Sequence, residues 1–576
     1  MRARALFAVV GLGWGLLVPS PALAGAARLE LAVSDPLVTY GEAVAVSGAI
    51  VGDAACAAGR PVALQWRAAD SAGFATVAEG TTAGDGAFAF EQAQPHTGTY
   101  RAIALEAGTC GALASPDVEV RVRALVEAAL VLGPTEVGSC LEVSVSVSPA
   151  KPGQAVLLEH RRDGWRTRET LTLDAQGRAH ARPCLGFDDL GVLRLRLRWE
   201  GQDGLNETAA SAVLAFEVVE AAWMREIDRL VRGRGVSVAI GEDGLFLYRH
   251  ADRTPRIPAS NEKLLLAMAM LDAFGPRARI PTSAAAVAVD EGVVDGDLWI
   301  LGRGDPSVGP AAMRALARRI ADAGITRITG SVLGSTTYFL RDWDAQGWNG
   351  EARRYVNRPT ALTFDGNRSA APEREAARAL TARLETLGVR VRGEPGSGRA
   401  PAGLVGVATV RSAPLLRLLS RTLRPSDNFV AEVLGKRLGA HVLGAPGSIA
   451  KGAAAIEDWV SGRGAAFELH DASGLSYDNR VTAEGLVRLL WQAEAAPWGT
   501  ALRRSLPTGG QGTLRDRLPS VRIRAKTGTL TGVSALSGWV GAGTWVEFSI
   551  LSSGMPKANA AAIEDRIVRI VRGAFG

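Results

Sequence analysis

Lysine is nearly absent from this chain: six lysines stand against 59 arginines in 576 residues. Arginine is therefore its default cation, and arginine does not deprotonate in a protein, whereas lysine can. The few lysines are worth locating one by one. Cysteine is equally scarce, with four residues and no C-x-x-C or His/Cys cluster, so no metal centre is implied. There is no basic run and no basic–aromatic patch. The net charge of +6 is thinly spread, which argues against a nucleic-acid partner. Beyond the N-terminus no run of about 18 apolar residues occurs, so no transmembrane anchor is expected.

What is present is enough for several packed cores: 47% hydrophobic and 22% charged residues over a length that suggests about three or four domains. Residues 1–24 read as a secretory signal. Arg2 and Arg4 form the charged end, Ala5 to Val18 the apolar core, and Ala22-Leu23-Ala24 the cleavage site. The mature chain would begin near Gly25, exported to a periplasm or cell-wall space. Two disulfides within the early segments suit such an oxidising compartment. Cys56 and Cys110 lie in one segment and Cys140 and Cys184 in the next, with three pairings open.

Residues 25–124 alternate as short strands between Gly, Asp and Pro turns, and residues 125–220 repeat the plan. Gly59-Arg-Pro-Val-Ala-Leu64 resembles Gly153-Gln-Ala-Val-Leu-Leu158, and the turn at Ala83–Gly86 resembles that at Asp174–Gly177. Two tandem immunoglobulin-like β-sandwiches are expected. Asn206-Glu207-Thr208 matches a glycosylation sequon, read here as a chance match. From Ala221 the pattern changes. An amphipathic helix (Trp223–Val231) and a hairpin about Glu242-Asp243-Gly244 lead into an α/β (α+β) region. This comprises residues 221–283 and 411–576, with an inserted subdomain at 284–410, and an amphipathic helix ends the chain.

The chemistry centres on Ser260, followed by Lys263 and the apolar run Leu264–Leu271, read as a buried helix closing at Gly275. Serine is a weak nucleophile and needs a base. Lysine one helical turn on can be that base if burial lowers its pKa. Alone, S-x-x-K fits a helix cap and a surface lysine equally well. Pro425-Ser426-Asp427-Asn428, a turn between helical stretches, is alone merely a cap, and Lys526-Thr527-Gly528-Thr529 alone merely a strand end. The ordered trio S-x-x-K, S-D-N and K-T-G is the signature of serine acyl-transfer enzymes, and both of its lysines come from the pool of six.

The flanking residues narrow this. Pro258-Ala-Ser-Asn-Glu-Lys-Leu-Leu265, Gly304-Asp-Pro-Ser307 and Pro359-Thr-Ala-Leu-Thr-Phe-Asp-Gly-Asn367 carry a resemblance to the low-molecular-mass class C penicillin-binding proteins, the D-Ala-D-Ala carboxypeptidase/endopeptidase type. So do Ser426–Glu432, Asp471-Ala-Ser-Gly-Leu-Ser476, Leu506–Gly510, Gly512–Leu514 and Ala525–Leu530. The resemblance covers Ala221 to Gly576 and leaves out the two β units. It implies Ser260 as acylated nucleophile and Lys263 as general base. Ser426, Asn428 and Lys526 would form a proton relay. Lys526, Thr527 and Thr529, around Gly528, would hold the substrate carboxylate, with the backbone N–H groups of Ser260 and Thr529 as oxyanion hole. Expected partners are peptidoglycan stem peptides, β-lactam antibiotics and a cell-wall or protein partner of the β units; no cofactor is implied. The stretch from Ser260 to Ser426 is shorter than the family's. Its acidic residue after tryptophan is replaced by Trp348-Asn-Gly-Glu351, leaving Glu351 as a weak candidate, and its Asp-Gly-Ser-Gly-Leu-Ser-Arg ends in Tyr477 here. Two other readings compete: a β-lactamase or esterase of the same fold, disfavoured by the absence of an E-x-x-L-N motif, and a catalytically silent wall-binding scaffold, disfavoured by the intact motif residues.

Overall fold

The fold is given by a computed structural model that describes residues 26–131 and 133–576. The leader read at residues 1–24 lies outside the described residues. Among these, no helix is long and apolar enough to cross a membrane. The chain divides into two units. One holds most of the first 218 residues and the other essentially residues 219–576.

The first unit is all β. Strands Arg28–Val33, Val44–Val51 and Ala87–Gln92 form one sheet; Leu37–Thr39, Val118–Arg123, Gly98–Ala104, Pro61–Ala68 and Ala75–Thr81 form another. Alternate residues of Gly98–Ala104 are buried, the period of a strand with one face in a core. The shared core contains Val46, Leu64, Trp66, Tyr100 and Val122. The plan repeats from Leu125 to Val218, again with a three-stranded and a larger sheet. The repeat read in sequence reappears as geometry: Gly59 and Gly153, and Gly86 and Gly177, all take positive φ at matching turns. The disulfides pair Cys56 with Cys110 and Cys140 with Cys184, each within its own copy of the plan.

The second unit is built on an antiparallel sheet in the order Leu245–His250, Val236–Glu242, Thr544–Ser553, Val533–Ala542, Ile523–Leu530. Ile523–Leu530 is an edge strand: among the described residues no strand pairs with its outer side, where Ala525 N–H donates to Pro507 O (3.2 Å). The helix Glu262–Phe274 runs through the main core, and every residue from Leu264 to Leu271 is at most 1% exposed. A helix apolar all round has to be central, and truncating one of its leucines would cost about 2–5 kcal/mol. Gly275 closes it with φ +73°, as the sequence suggests. Residues 281–411 contribute a seven-stranded sheet with its own core around Leu298, Ile300, Leu316 and Leu380. The segment between those strands turns back. Phe339, Ala352 and Val356 pack with Phe429 and Val433 of the helix Asn428–Val442.

Candidate active site

The residues before the central helix form a tight turn. Ala259–Asn261 is a single 3₁₀ turn, and Ala259 has φ +46°, a conformation unfavourable for a residue with a side chain. Ser260 therefore sits just ahead of the α-helix rather than in its first turn. The turn is held from three sides. The Asn261 side-chain N–H donates to Ser537 Oγ (2.8 Å) on a neighbouring strand. Gly528 of the edge strand lies so close that a Cβ there would stand 2.6 Å from Pro258 O. Gly474, φ +79°, lies beneath, where a Cβ would meet Ala259 O at 1.9 Å. Both glycines are demanded by close backbone approach.

One turn on, Lys263 is fully buried and its Nζ lies 2.9 Å from Ser260 Oγ and 2.7 Å from Asn428 Oδ1, with a third, short bond to Ser473 O. As an ammonium it spends its three protons on these three acceptors. The asymmetry among them decides the chemistry. Asn428 Oδ1 and Ser473 O can only accept, whereas the Ser260 hydroxyl can also donate. Once Nζ loses a proton, its lone pair has one natural partner, the hydroxyl hydrogen of Ser260. Burial lowers the Lys263 pKa to about 8, against the opposing charges of Asp471, Glu432, Glu262 and Asp427.

Beneath Lys263 lies a layer of buried carboxyl groups. Glu432 Oε1 accepts from the backbone N–H of Ala472 (3.0 Å) and Ser473 (2.8 Å), fixing the carbonyl that Lys263 bonds. Asp471 accepts from the N–H of Gly474, Leu475 and Ser476, from Ser473 Oγ, and from the indole N–H of Trp348 (2.8 Å). Burial, reinforced by the Asp471 charge, raises Glu432 to about 8. Burial and the charges of Asp471 and Glu432 push Glu262 well above the usual carboxylate range.

The S-D-N turn resolves into two jobs. Asp427 is the N-cap of the helix Asn428–Val442 and accepts from Val430 N (3.0 Å). That capping fixes the residues on either side. Ser426, at φ +64°, turns its Oγ to Lys526 Nζ (2.9 Å), and Asn428, held also by a bond to Tyr355 O (3.1 Å), faces Lys263. Lys526 is fully buried on the edge strand, and its other bond is to Thr527 O (2.7 Å). Among the described residues no carboxylate pairs with it. Burial, together with the nearby Lys263 charge, takes its pKa well below the lysine range. Thr527 is oriented by Thr513 (Oγ1–Oγ1 2.7 Å).

These residues line a cleft of about 1110 Å³ floored by Ser260, Ser426, Asn428, Thr527 and Thr529. Glu351, Tyr477, Arg515 and Lys557 stand at its wall; Glu351 pairs with Arg354 (2.8 Å), and Tyr477 OH accepts from Thr531 N (3.2 Å). All five residues singled out as catalytic thus converge, in two groups: Ser260–Lys263–Asn428 and Ser426–Lys526. Sequence reasoning assigned no role to Glu262, Glu432, the Asp471 loop or Thr513. Their signal was that each lies in a stretch that carries the family resemblance.

The family described as D-Ala-D-Ala carboxypeptidase 3 (S13) matches residues 225–371 and 366–573. A D-alanyl-D-alanine carboxypeptidase of Actinomadura sp. (strain R39) is 30% identical over 430 residues, 58% of this chain and 79% of that one. A carboxypeptidase of Mycobacterium tuberculosis is 32% identical over 375 residues, 58% of this chain and 76% of the other. The crystal structure of penicillin-binding protein 4 from Haemophilus influenzae shares the fold. Its TM-score is 0.53 at 20% identity, covering 61% of this chain and 99% of that one. With the serine, the buried lysine and the three motifs gathered at one cleft, and more than half its length matched, this chain belongs to the D-Ala-D-Ala carboxypeptidase 3 (S13) family.

Proposed function

We propose that the protein is a serine D-Ala-D-Ala carboxypeptidase that trims peptidoglycan stem peptides through an acyl-enzyme on Ser260, can cut cross-linked D-Ala bonds as an endopeptidase, and is acylated by penicillin. The observation that carries this reading is the buried Lys263 amine 2.9 Å from the Ser260 hydroxyl, a base beside a nucleophile in a water-poor site. Ser260 Oγ attacks the carbonyl of the penultimate D-Ala as Lys263 takes its proton. The backbone N–H groups of Ser260 and Thr529 receive the oxyanion. Ser426 and Asn428, with Lys526, return a proton to the leaving D-Ala amine, and water then releases the shortened peptide. Lys526, Thr527 and Thr529, with Gly528 giving backbone access, take the terminal carboxylate. An arriving carboxylate supplies the counter-charge that buried Lys526 lacks, so substrate binding favours its ammonium form.

Past the Ala525–Pro507 bond, the outer side of Ile523–Leu530 offers backbone groups to an extended peptide. Residues 25–124 and 125–220 act as immunoglobulin-like modules that place residues 221–576 on the wall or on a protein partner. The two disulfides fit an exported protein working in the periplasm or cell-wall space. The test is D-alanine release from a peptide ending in D-Ala-D-Ala. Wild-type protein should release it, the same peptide ending in D-Ala-L-Ala should be inert, and Ser260→Ala should be inactive. Release by Ser260→Ala at the wild-type rate would overturn the proposal.

A further inference from the structure

A second lysine–carboxamide pair lies in the β unit, far in sequence from the cleft. Lys151 follows the strand Glu142–Ser148, in the turn closed by Gly153, and is 3% exposed. Its Nζ donates to Asn206 Oδ1 (2.6 Å) and to Asp203 Oδ2 (2.6 Å). Asn206, the residue of the sequon pattern, is 5% exposed, too buried for a glycan to reach. Both hydrogens of its Nδ2 are committed, to Pro95 O (2.9 Å) and Val122 O (3.2 Å), which pins the carboxamide with its carbonyl toward Lys151. His96 Nδ1 stands 3.1 Å from the same Oδ1 and supplies a second donor to it. The fully buried Trp199 ring lies 5.3 Å from Nζ and keeps water away.

A plain ion pair does not call for lysine here. Elsewhere in this unit carboxylates are matched by arginine: Glu159 by Arg196 and Arg198, Asp117 by Arg67. Lysine stands where the cation touches a carboxamide as well as a carboxylate, and lysine alone can become a nucleophilic amine. We propose that Lys151 and Asn206 form an intramolecular amide bond, Nζ to Cγ, with Asp203 as proton carrier and His96 as donor to the oxyanion. Asp203 takes one proton from the Lys151 ammonium, and the freed lone pair adds to Cγ. The negative charge that develops on Oδ1 faces His96. A second proton passes from Nζ to Nδ2 as the Cγ–Nδ2 bond breaks. The ammonia that leaves takes the first proton from Asp203 and departs as ammonium. One C–N bond forms and one breaks, with no oxidant or added reactant. The product ties the turn at Lys151 covalently to the loop around Asn206, whose Glu207 N–H still bonds Val122 O, while the two Nδ2 bonds leave with the ammonia.

The test is the mass of the purified full-length protein under denaturing, reducing conditions, followed by peptide mapping with tandem mass spectrometry. The expected wild-type mass is lighter by one ammonia than the sequence with the same N-terminus, with a branched peptide joining the Lys151 and Asn206 segments. Lys151→Arg and Asp203→Ala, checked for folding by circular dichroism, should both have the unlinked mass. Linear peptides bearing free Lys151 and intact Asn206 in folded wild-type protein would overturn the proposal. So would ammonia loss that maps elsewhere, or a fully formed branch in Asp203→Ala.

Discussion

If Lys263 is the base, acylation must follow its titration. The base form is the neutral amine, so the rate must rise with pH and level off once the amine is free. With the pKa brought to about 8 by burial, roughly one lysine in ten is free at pH 7 and about one in a hundred at pH 6. The acylation rate constant with a fluorescent penicillin, followed by stopped flow at fixed ionic strength, should therefore climb about tenfold per pH unit below 7 and flatten above about 8. An exposed lysine would still be climbing near pH 10. The carboxyl layer supplies internal controls. Glu432 titrates near the same pH, and its charged form opposes loss of the Lys263 proton. Glu432→Gln should move the break to lower pH. Glu262 is shifted toward its neutral acid form, and any charge it carries opposes loss of the same proton, so Glu262→Gln should not move the break to higher pH. A rate flat from pH 5 to 9, or a break that stays above 10, would refute Lys263 as the base.

Other outcomes separate the remaining parts of the site. Lys263→Arg should cut acylation by about 10²–10⁴-fold, because arginine cannot take the proton. Lys526→Arg, which keeps a cation at the carboxylate, should cost only about tenfold, the worth of a weakened hydrogen bond to a charged group; penicillin titrations of both variants compare them. Gly528→Ala puts a methyl 2.6 Å from Pro258 O, so it should leave circular dichroism intact yet slow acylation by about 10²-fold through displacement of the Ser260 turn. Away from the cleft, Glu547 is clamped between the indole N–H groups of Trp491 and Trp539, and burial raises it to about 8. A carboxyl with a raised folded pKa contributes stability that is full below about 4.5 and is lost as pH rises through about 8. Melting curves of Glu547→Gln should match wild type at pH 5 and exceed it at pH 8.

The parts of the site that were legible in the sequence are those with local signatures. Ser260 and Lys263 stand one turn apart and Asp427 begins a helix; Lys526, read at a strand end, lies inside the edge strand Ile523–Leu530, and scarcity of lysine made the two lysine-bearing motifs stand out. The S-D-N motif looked equally like a cap, and it is both: Asp427 caps while Ser426 and Asn428 reach the cleft. The carboxyl layer was not legible. Glu432 meets Ala472, and Glu262 meets Asn479, across contacts that no local periodicity encodes. The return of Phe339–Val356 to the Asn428 helix was hidden for the same reason. The 3₁₀ turn that holds Ser260 was not legible either, because close backbone approach by Gly474 and Gly528, both remote in sequence, sets the local geometry.

The central claim is that Ser260 is the nucleophile of a penicillin-acylated enzyme. The most direct test is intact-protein mass spectrometry after incubation with labelled penicillin, followed by peptide mapping. The expected result is a gain of one penicillin per chain, carried on the peptide containing Ser260 and absent from Ser260→Ala. Folded protein that takes up no label, or carries it on another peptide, would contradict it.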